Sequence, residues 1–125
     1  TVTPTLPPQA TPTPAISIAA PELLTPGDNA TFRGPTALIE MKWRNPGFFP
    51  ADGQNVLHIG IVTGPGQVEW RLNEPLGSAT DTKVPGWLFD MAPQEFGRSY
   101  VWYVQVESGG SRVSPPSPQW RFQWD

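Results

Sequence analysis

The sequence predicts an all-β protein, an antiparallel β-sandwich of about seven strands preceded by an extended tail. Along residues 16–125, short apolar or alternating stretches recur with clusters of Gly, Pro, Asn and Asp between them. No stretch repeats its apolar residues with the 3.6-residue period of a helix. Short strands separated by regular turn signals are typical of a β-sandwich.

The first fifteen residues differ in composition from the rest, with five Thr, five Pro and no charged residue. Such a segment has too little apolar surface to fold, and its prolines favour an extended chain. We therefore predict a Thr/Pro-rich linker or stalk over residues 1–15 and one domain over 16–125. A spacer is the simpler interpretation. An O-glycosylated stalk is the sharper one, with four acceptor candidates, Thr3, Thr5, Thr11 and Thr13.

Seven stretches are predicted to be strands, at 16–24, 37–43, 56–63, 67–72, 79–84, 98–107 and 119–124. Two of them alternate clearly between an apolar and a polar or mixed face, which is the period of a strand. In the second stretch, the apolar face is formed by Ile39, Met41 and Trp43. In the sixth, it is formed by Tyr100, Trp102, Val104 and Val106.

The first stretch is predicted to be a broken edge strand, because Pro21 interrupts it and proline is tolerated only at sheet edges. Residues 26–29, Pro-Gly-Asp-Asn, give a strong turn signal. We expect Phe32 to cap the end of the core. The third stretch is almost continuously apolar, and we place Leu57, Ile59 and Ile61 on its inner face.

Three segments are predicted to lie outside the strands. Residues 73–77 are expected to form a loop, and residues 85–89 an irregular turn packed down by its aromatic side chains. Residues 114–118, Ser-Pro-Pro-Ser-Pro, cannot form a ladder of backbone hydrogen bonds. A small closed barrel is the structural alternative, but the prolines near the first and last strands favour open, protected edges.

Composition excludes several classes of function. The chain has no Cys, a net charge of −3 and no basic stripe, so neither thiol chemistry nor nucleic-acid binding is expected. No apolar run is long enough for membrane insertion. His58 is the only histidine and lies within a strand, and no acidic calcium loop or zinc-ligand cluster is present. We therefore expect no cofactor and no metal.

Catalysis is not expected either. A nucleophilic Ser or Thr needs a neighbouring base, and the carboxylates are scattered without informative spacing. A glycoside-acting enzyme with a carboxylate pair is the alternative that this scatter leaves open.

The aromatic residues divide into core and surface candidates. We assign Trp43, Tyr100 and Trp102 to the core, and also the face formed by Trp120, Phe122 and Trp124. The remaining large rings are candidates for exposure, namely Trp70, Trp87, Phe48, Phe49 and Tyr103. Exposed Trp70 and Trp87 would be able to stack on a sugar ring or anchor a protein partner. The simpler alternative is that loops fold these rings over the ends of the sandwich.

Residues 16–125 resemble a fibronectin type III domain, an immunoglobulin-like β-sandwich. The resemblance rests on Trp43 at the end of the second strand, on the Tyr-Val-Trp-Tyr-Val-Gln-Val run at 100–106, and on Val-Ser-Pro-Pro-Ser at 113–117. It implies that the hydroxyl of Tyr100 bonds to the backbone near residues 93–96. The Pro-Glu-Leu-Leu-Thr-Pro-Gly-Asp run at 21–28 is similar to the start of such domains in bacterial envelope proteins. There, Thr-Pro stalks join them to peptidoglycan-binding modules or receptor-type Ser/Thr kinases.

These observations predict a non-catalytic extracellular structural or protein-interaction module of a larger bacterial surface protein. We expect an export signal or anchor to lie outside this segment. The expected partners are neighbouring domains of the same polypeptide and either a protein or a polysaccharide. The alternatives are a carbohydrate-binding module that uses its exposed aromatics, and the ectodomain of a receptor-type Ser/Thr kinase.

Overall fold

A computed structural model describes residues 18–125, which form strands and short 3-10 turns with no α-helix among them. The predicted stalk and its four candidate threonines lie outside these residues. The strands are β1 (Glu22–Thr25), β2 (Ala30–Phe32), β3 (Glu40–Arg44), β4 (Gly53–Gly64), β5 (Gln67–Pro75), β6 (Asp81–Lys83), β7 (Ser99–Ser108), β8 (Ser111–Arg112) and β9 (Trp120–Trp124). Two 3-10 turns, Gly86–Leu88 and Gln94–Phe96, lie between β6 and β7.

The strands form two sheets, which confirms the all-β prediction and is consistent with a β-sandwich. The three-stranded sheet has the order β1-β3-β6. The larger, six-stranded sheet has the order β2-β9-β7-β4-β5, with β8 paired to β7.

The expectation of about seven antiparallel strands needs two corrections. After β1 the chain leaves β3 and pairs instead with β9, so a further strand follows the predicted turn. This strand, β2, runs parallel to β9, with Phe32 opposite Trp124, and the other pairs are antiparallel. The second correction is the two-residue strand β8, which was not predicted and pairs with β7. Phe32 is half-buried and packs edge-on against Phe122, with 6.1 Å between the ring centroids.

The core lies between the two sheets and confirms the predicted inner faces. Each sheet contributes side chains at alternate positions, as the period of a strand requires. The fully buried large side chains include Ile39, Met41, Trp43, Leu57, Ile59, Tyr100, Trp102, Val104, Phe122 and Trp124. Trp120, also assigned to the core, is only partly buried and packs against this cluster.

Two of the predicted irregular segments have different outcomes. The prediction of a loop at 73–77 is wrong in part, because β5 pairs with β4 as far as Pro75. The prediction for 114–118 is confirmed, since no strand forms there. One backbone bond remains, from the Ser117 N–H to the Val104 carbonyl at 2.9 Å, and two serine hydroxyls add to it. Ser114 Oγ accepts from the Val106 N–H at 3.0 Å, and Ser117 Oγ accepts from the Val104 N–H at 2.9 Å.

The hydroxyl of the buried Tyr100 is hydrogen-bonded to the segment between β6 and β7. Its hydroxyl donates to the Leu88 carbonyl at 2.5 Å and accepts from the Ala92 N–H at 3.4 Å. The expected partner near 93–96 is only partly right. The Ala92 N–H lies next to that range, but the shorter bond goes to Leu88, because the 3-10 turn at Gly86–Leu88 brings this earlier carbonyl to the hydroxyl. Burial raises the pKa of Tyr100 above its ordinary value of 10.0.

Candidate functional site

The two candidate stacking residues are both exposed, but they lie on different elements. Trp87 lies on the 3-10 turn before β7 and is 55% exposed, while its neighbour Leu88 is fully buried. Trp70 lies on β5, the edge strand of the six-stranded sheet, and is 36% exposed. Of these two residues, only Trp70 packs against another aromatic ring within the described chain.

Trp70 belongs to a set of three rings on the outer face of the six-stranded sheet, the face turned away from the other sheet. It packs edge-on against Tyr103 of β7, with 5.1 Å between centroids and planes at 86°. The Tyr103 ring in turn stacks on His58 of β4, at 4.4 Å and 16°. We call Trp70, Tyr103 and His58 the aromatic strip. It crosses three neighbouring strands.

A β-bulge in β5 decides which way Trp70 points. Leu72 pairs with Ile59, but the next residue of β4, Gly60, pairs with Trp70, so Arg71 is an extra residue. Without it, Trp70 and Leu72 would share a face, because side chains two apart point the same way. The bulge leaves Leu72 packed on the core and turns Trp70 outward.

Gly60 gives Trp70 the space to lie across β4. A Cβ atom at this position would lie 2.8 Å from Trp70 Cε3 and 2.5 Å from Val68 Cγ1. Both distances are closer than real contacts allow. The absence of a side chain on Gly60 thus lets the indole reach over the strand towards Tyr103.

His58 is the residue of the strip whose ring is hydrogen-bonded to a neighbouring strand. Its Nδ1 lies 2.5 Å from Asn73 Oδ1, across the β4–β5 pair. Its Nε2 is buried and has no hydrogen-bond partner within residues 18–125. One ring nitrogen of His58 is therefore bonded to Asn73, and the other is covered without a partner among these residues. The covered ring holds Tyr103 in place.

A shallow depression of about 220 Å³ adjoins the strip on the same face. We call it the trough. Val62, Val68 and Val101 supply its apolar lining, while Gln67 and Arg121 supply polar groups together with Gln119. Val68, which lines the trough, and Trp70 lie two residues apart on β5, and both pair with outward-facing positions of β4. The trough therefore lies beside Trp70.

Arg121 is the only charged residue among the described residues that line the trough. Its backbone is held by the turn between β1 and β2, where Asp28 Oδ1 accepts from its N–H at 2.9 Å. Its guanidinium takes part in none of the ion pairs found within residues 18–125. The trough therefore offers a guanidinium without an ion-pair partner among these residues, beside two side-chain amides.

The other exposed apolar residues are dispersed. Phe48 is exposed in the loop after β3, whereas Phe49 is half-buried against a small cluster that contains Ile18. Leu38 borders an open depression of about 440 Å³ beside β1 and β2, which Phe32 also lines. Phe32 is the only aromatic residue among the described residues that line it, and this ring packs edge-on against the buried Phe122 rather than against another exposed ring.

Four of the eleven acidic residues form ion pairs with arginines within the described residues. Glu22 pairs with Arg44 at 2.6 Å, and Asp90 and Asp125 both pair with Arg98. Across residues 18–125, no three His, Asp or Glu side chains are grouped so that they would hold a metal ion. The same residues contain no helix long and apolar enough to span a membrane.

Comparisons with known proteins give no assignment for this chain. No protein-family model matches it, and a search of curated proteins finds no match.

Proposed function

We propose that this chain is a non-catalytic structural or protein-interaction module of a larger bacterial surface protein, with a fibronectin type III-like domain after a Thr/Pro-rich stalk. The interaction surface in this proposal is the outer face of the six-stranded sheet. The observation that carries it is the aromatic strip, because three rings on neighbouring strands form one half-exposed surface.

Three features support the family assignment. If β1 and β2 are halves of one strand that changes sheets, and β8 extends the last strand, the chain has seven strands in two sheets. Trp43 is buried on the strand that follows. Tyr100 lies near the start of β7 and bonds back to Leu88, which is the arrangement of the tyrosine corner in immunoglobulin-like sandwiches.

The chemistry of the strip suits an interaction surface. Trp and Tyr are enriched where proteins bind partners, because they offer a large rigid area at a small cost in conformational entropy. The outer face of the three-stranded sheet is different, since Glu40, Lys42 and Lys83 make it polar and mixed in charge. We therefore assign binding to the six-stranded sheet.

Carbohydrate binding is the second candidate, and the trough favours it. A sugar ring presents C–H groups on one face and hydroxyls at its edge. The indole of Trp70 would pack against the C–H groups, and the amides of Gln67 and Gln119 would bond to the hydroxyls.

Site-specific photo-crosslinking in the full-length protein tests the primary proposal. A photoreactive phenylalanine analogue replaces Trp70 and, in a matched control, Lys83 on the exposed outer face of the other sheet. We expect crosslinks from position 70 on intact cells, and far fewer from position 83. External protease should also digest the protein on those cells.

Equal crosslinking from both positions would argue against a specific surface on the six-stranded sheet. Full protection from protease on intact cells, with digestion only after lysis, would contradict the extracellular assignment.

A further inference from the structure

We propose that the trough and the aromatic strip form one binding site for an acidic glycan, in which a sugar ring stacks on Trp70 and a carboxylate binds Arg121. This inference rests on the proposed interaction surface and names the ligand class that the surface takes. The register of four strands, the charge of the trough and the chemistry of its lining support it.

The register places the two key residues in one row across the sheet. Trp70 on β5 pairs with Gly60 on β4, Gly60 pairs with Val101 on β7, and Val101 pairs with Arg121 on β9. All four positions belong to the outer face. Because neighbouring strands are about 4.8 Å apart, the backbones of Trp70 and Arg121 are separated by roughly 14 Å. A short oligosaccharide spans such a distance.

The positions between them keep the row low. The indole of Trp70 lies over Gly60, and Val101 is small and only 5% exposed. A ligand stacked on the indole would therefore pass over Val101 to reach the guanidinium of Arg121. This shape suits an extended chain better than a single bulky side chain, which would need a deeper pocket.

The charge of the trough selects an acidic ligand. The Arg121 guanidinium takes part in none of the ion pairs within the described residues, whereas Arg71 on the edge strand β5 is paired with Glu69 at 3.2 Å. A guanidinium binds a carboxylate through two parallel hydrogen bonds, and such charge-assisted bonds are stronger than neutral ones.

The lining favours a sugar over an acidic peptide. Gln67 and Gln119 each offer both donor and acceptor atoms, which match hydroxyl groups that also donate and accept. Trp70 offers an exposed aromatic surface to the apolar face of a sugar ring. An acidic peptide would also bind Arg121 and would bond the amides through its backbone, so the distinguishing group is the indole, on which a sugar ring stacks through its C–H face.

Isothermal titration calorimetry of the whole chain tests this proposal. The probes are short oligomers of galacturonate, guluronate and glucuronate, and the same galacturonate oligomer with its carboxylates methyl-esterified. We expect at least one acidic oligomer to bind and the ester to bind about tenfold or more weakly, because a hydrogen bond to a charged group contributes about 1.5–3 kcal/mol. Added salt should weaken the binding of the acid.

Variants then assign the two contacts. Arg121→Gln should abolish the preference for the acid over its ester. Trp70→Ala should weaken the binding of the acid and of the ester by about tenfold each. Arg112→Gln and Trp87→Ala are the matched controls, since both residues are exposed elsewhere, and they should change neither affinity. Circular dichroism and thermal unfolding of each variant check that it remains folded.

Absence of binding to all three acidic oligomers would overturn the proposal, and so would binding that neither variant weakens. Equally tight binding of polyglutamate would assign the surface to acidic peptides instead. Crosslinks from position 70 on cells, together with failure of every glycan, would reject the glycan while leaving the proposed interaction module in place.

Discussion

Removal of the Tyr100 hydroxyl should destabilise the protein measurably, although the ring would stay in the core. The side chain is fully buried, and its hydroxyl connects the Leu88 carbonyl to the Ala92 N–H. In Tyr100→Phe the Leu88 carbonyl keeps a bond from the Met91 N–H at 3.2 Å, while the Ala92 N–H loses its side-chain acceptor. A buried polar group left unpaired costs about 1–3 kcal/mol, and we expect the lower half of that range, about 1–2 kcal/mol.

Urea unfolding followed by tryptophan fluorescence measures this loss as a lower midpoint at an unchanged slope. For a domain of this size, a loss of 1–2 kcal/mol corresponds to a decrease of roughly 4–8 °C in Tm. A decrease in unfolding free energy of less than about 0.5 kcal/mol would refute the reasoning. It would mean that the hydroxyl is not the group that holds the 3-10 turn against β7.

The dependence of the unfolding free energy on pH above 10 provides an independent check on Tyr100. Because burial raises the pKa of Tyr100 above 10.0, the folded state holds this proton more tightly than the unfolded state. The contribution is complete below pH 10 and is lost as the pH rises from there through the folded-state pKa, by at most about 1.4 kcal/mol per pH unit. Tyr100→Phe should lack this part of the slope, so parallel alkaline limbs in the two proteins would contradict the assignment.

Three further substitutions have defined outcomes. Asn55→Ala should lower the unfolding free energy by about 1–3 kcal/mol in urea titrations, because this buried side chain donates two hydrogen bonds to neighbouring loops. Gly60→Ala should cost about 1–3 kcal/mol and change the near-ultraviolet circular dichroism, since the new Cβ displaces Trp70; an unchanged spectrum would contradict the close approach. Ser117→Ala should lower Tm by about 4 °C, because it leaves the Val104 N–H unpaired. An unchanged Tm would show that water replaces the hydroxyl.

The local sequence was sufficient for the strands with strong alternation. In β3 and β7 the period of two decides which side chains face the core, since a strand turned over would expose all of them. Trp43 and Trp102 are buried as that pattern predicts. Assigning the other rings to the core left Trp70 and Trp87 among the candidates for exposure, and both are exposed in the structure.

The pattern failed where pairing depends on a distant strand. Nothing in residues 30–32 indicates a strand, since β2 exists only because β9 is there to pair with it. The loop predicted at 73–77 is partly strand for the same reason: β4 extends beside it and supplies the hydrogen bonds. Similarly, the partner of Tyr100 depends on how the 3-10 turn at Gly86–Leu88 packs.

Local alternation and the chemistry of each side chain are enough to predict the β-rich class and most residues of the core. The candidate site, in contrast, depends on the tertiary structure. A one-residue bulge at Arg71 turns Trp70 outward, and the register of four strands aligns it with Arg121, 51 residues further along the chain. Register is set by pairing across the sheet, and no single segment of sequence contains that information.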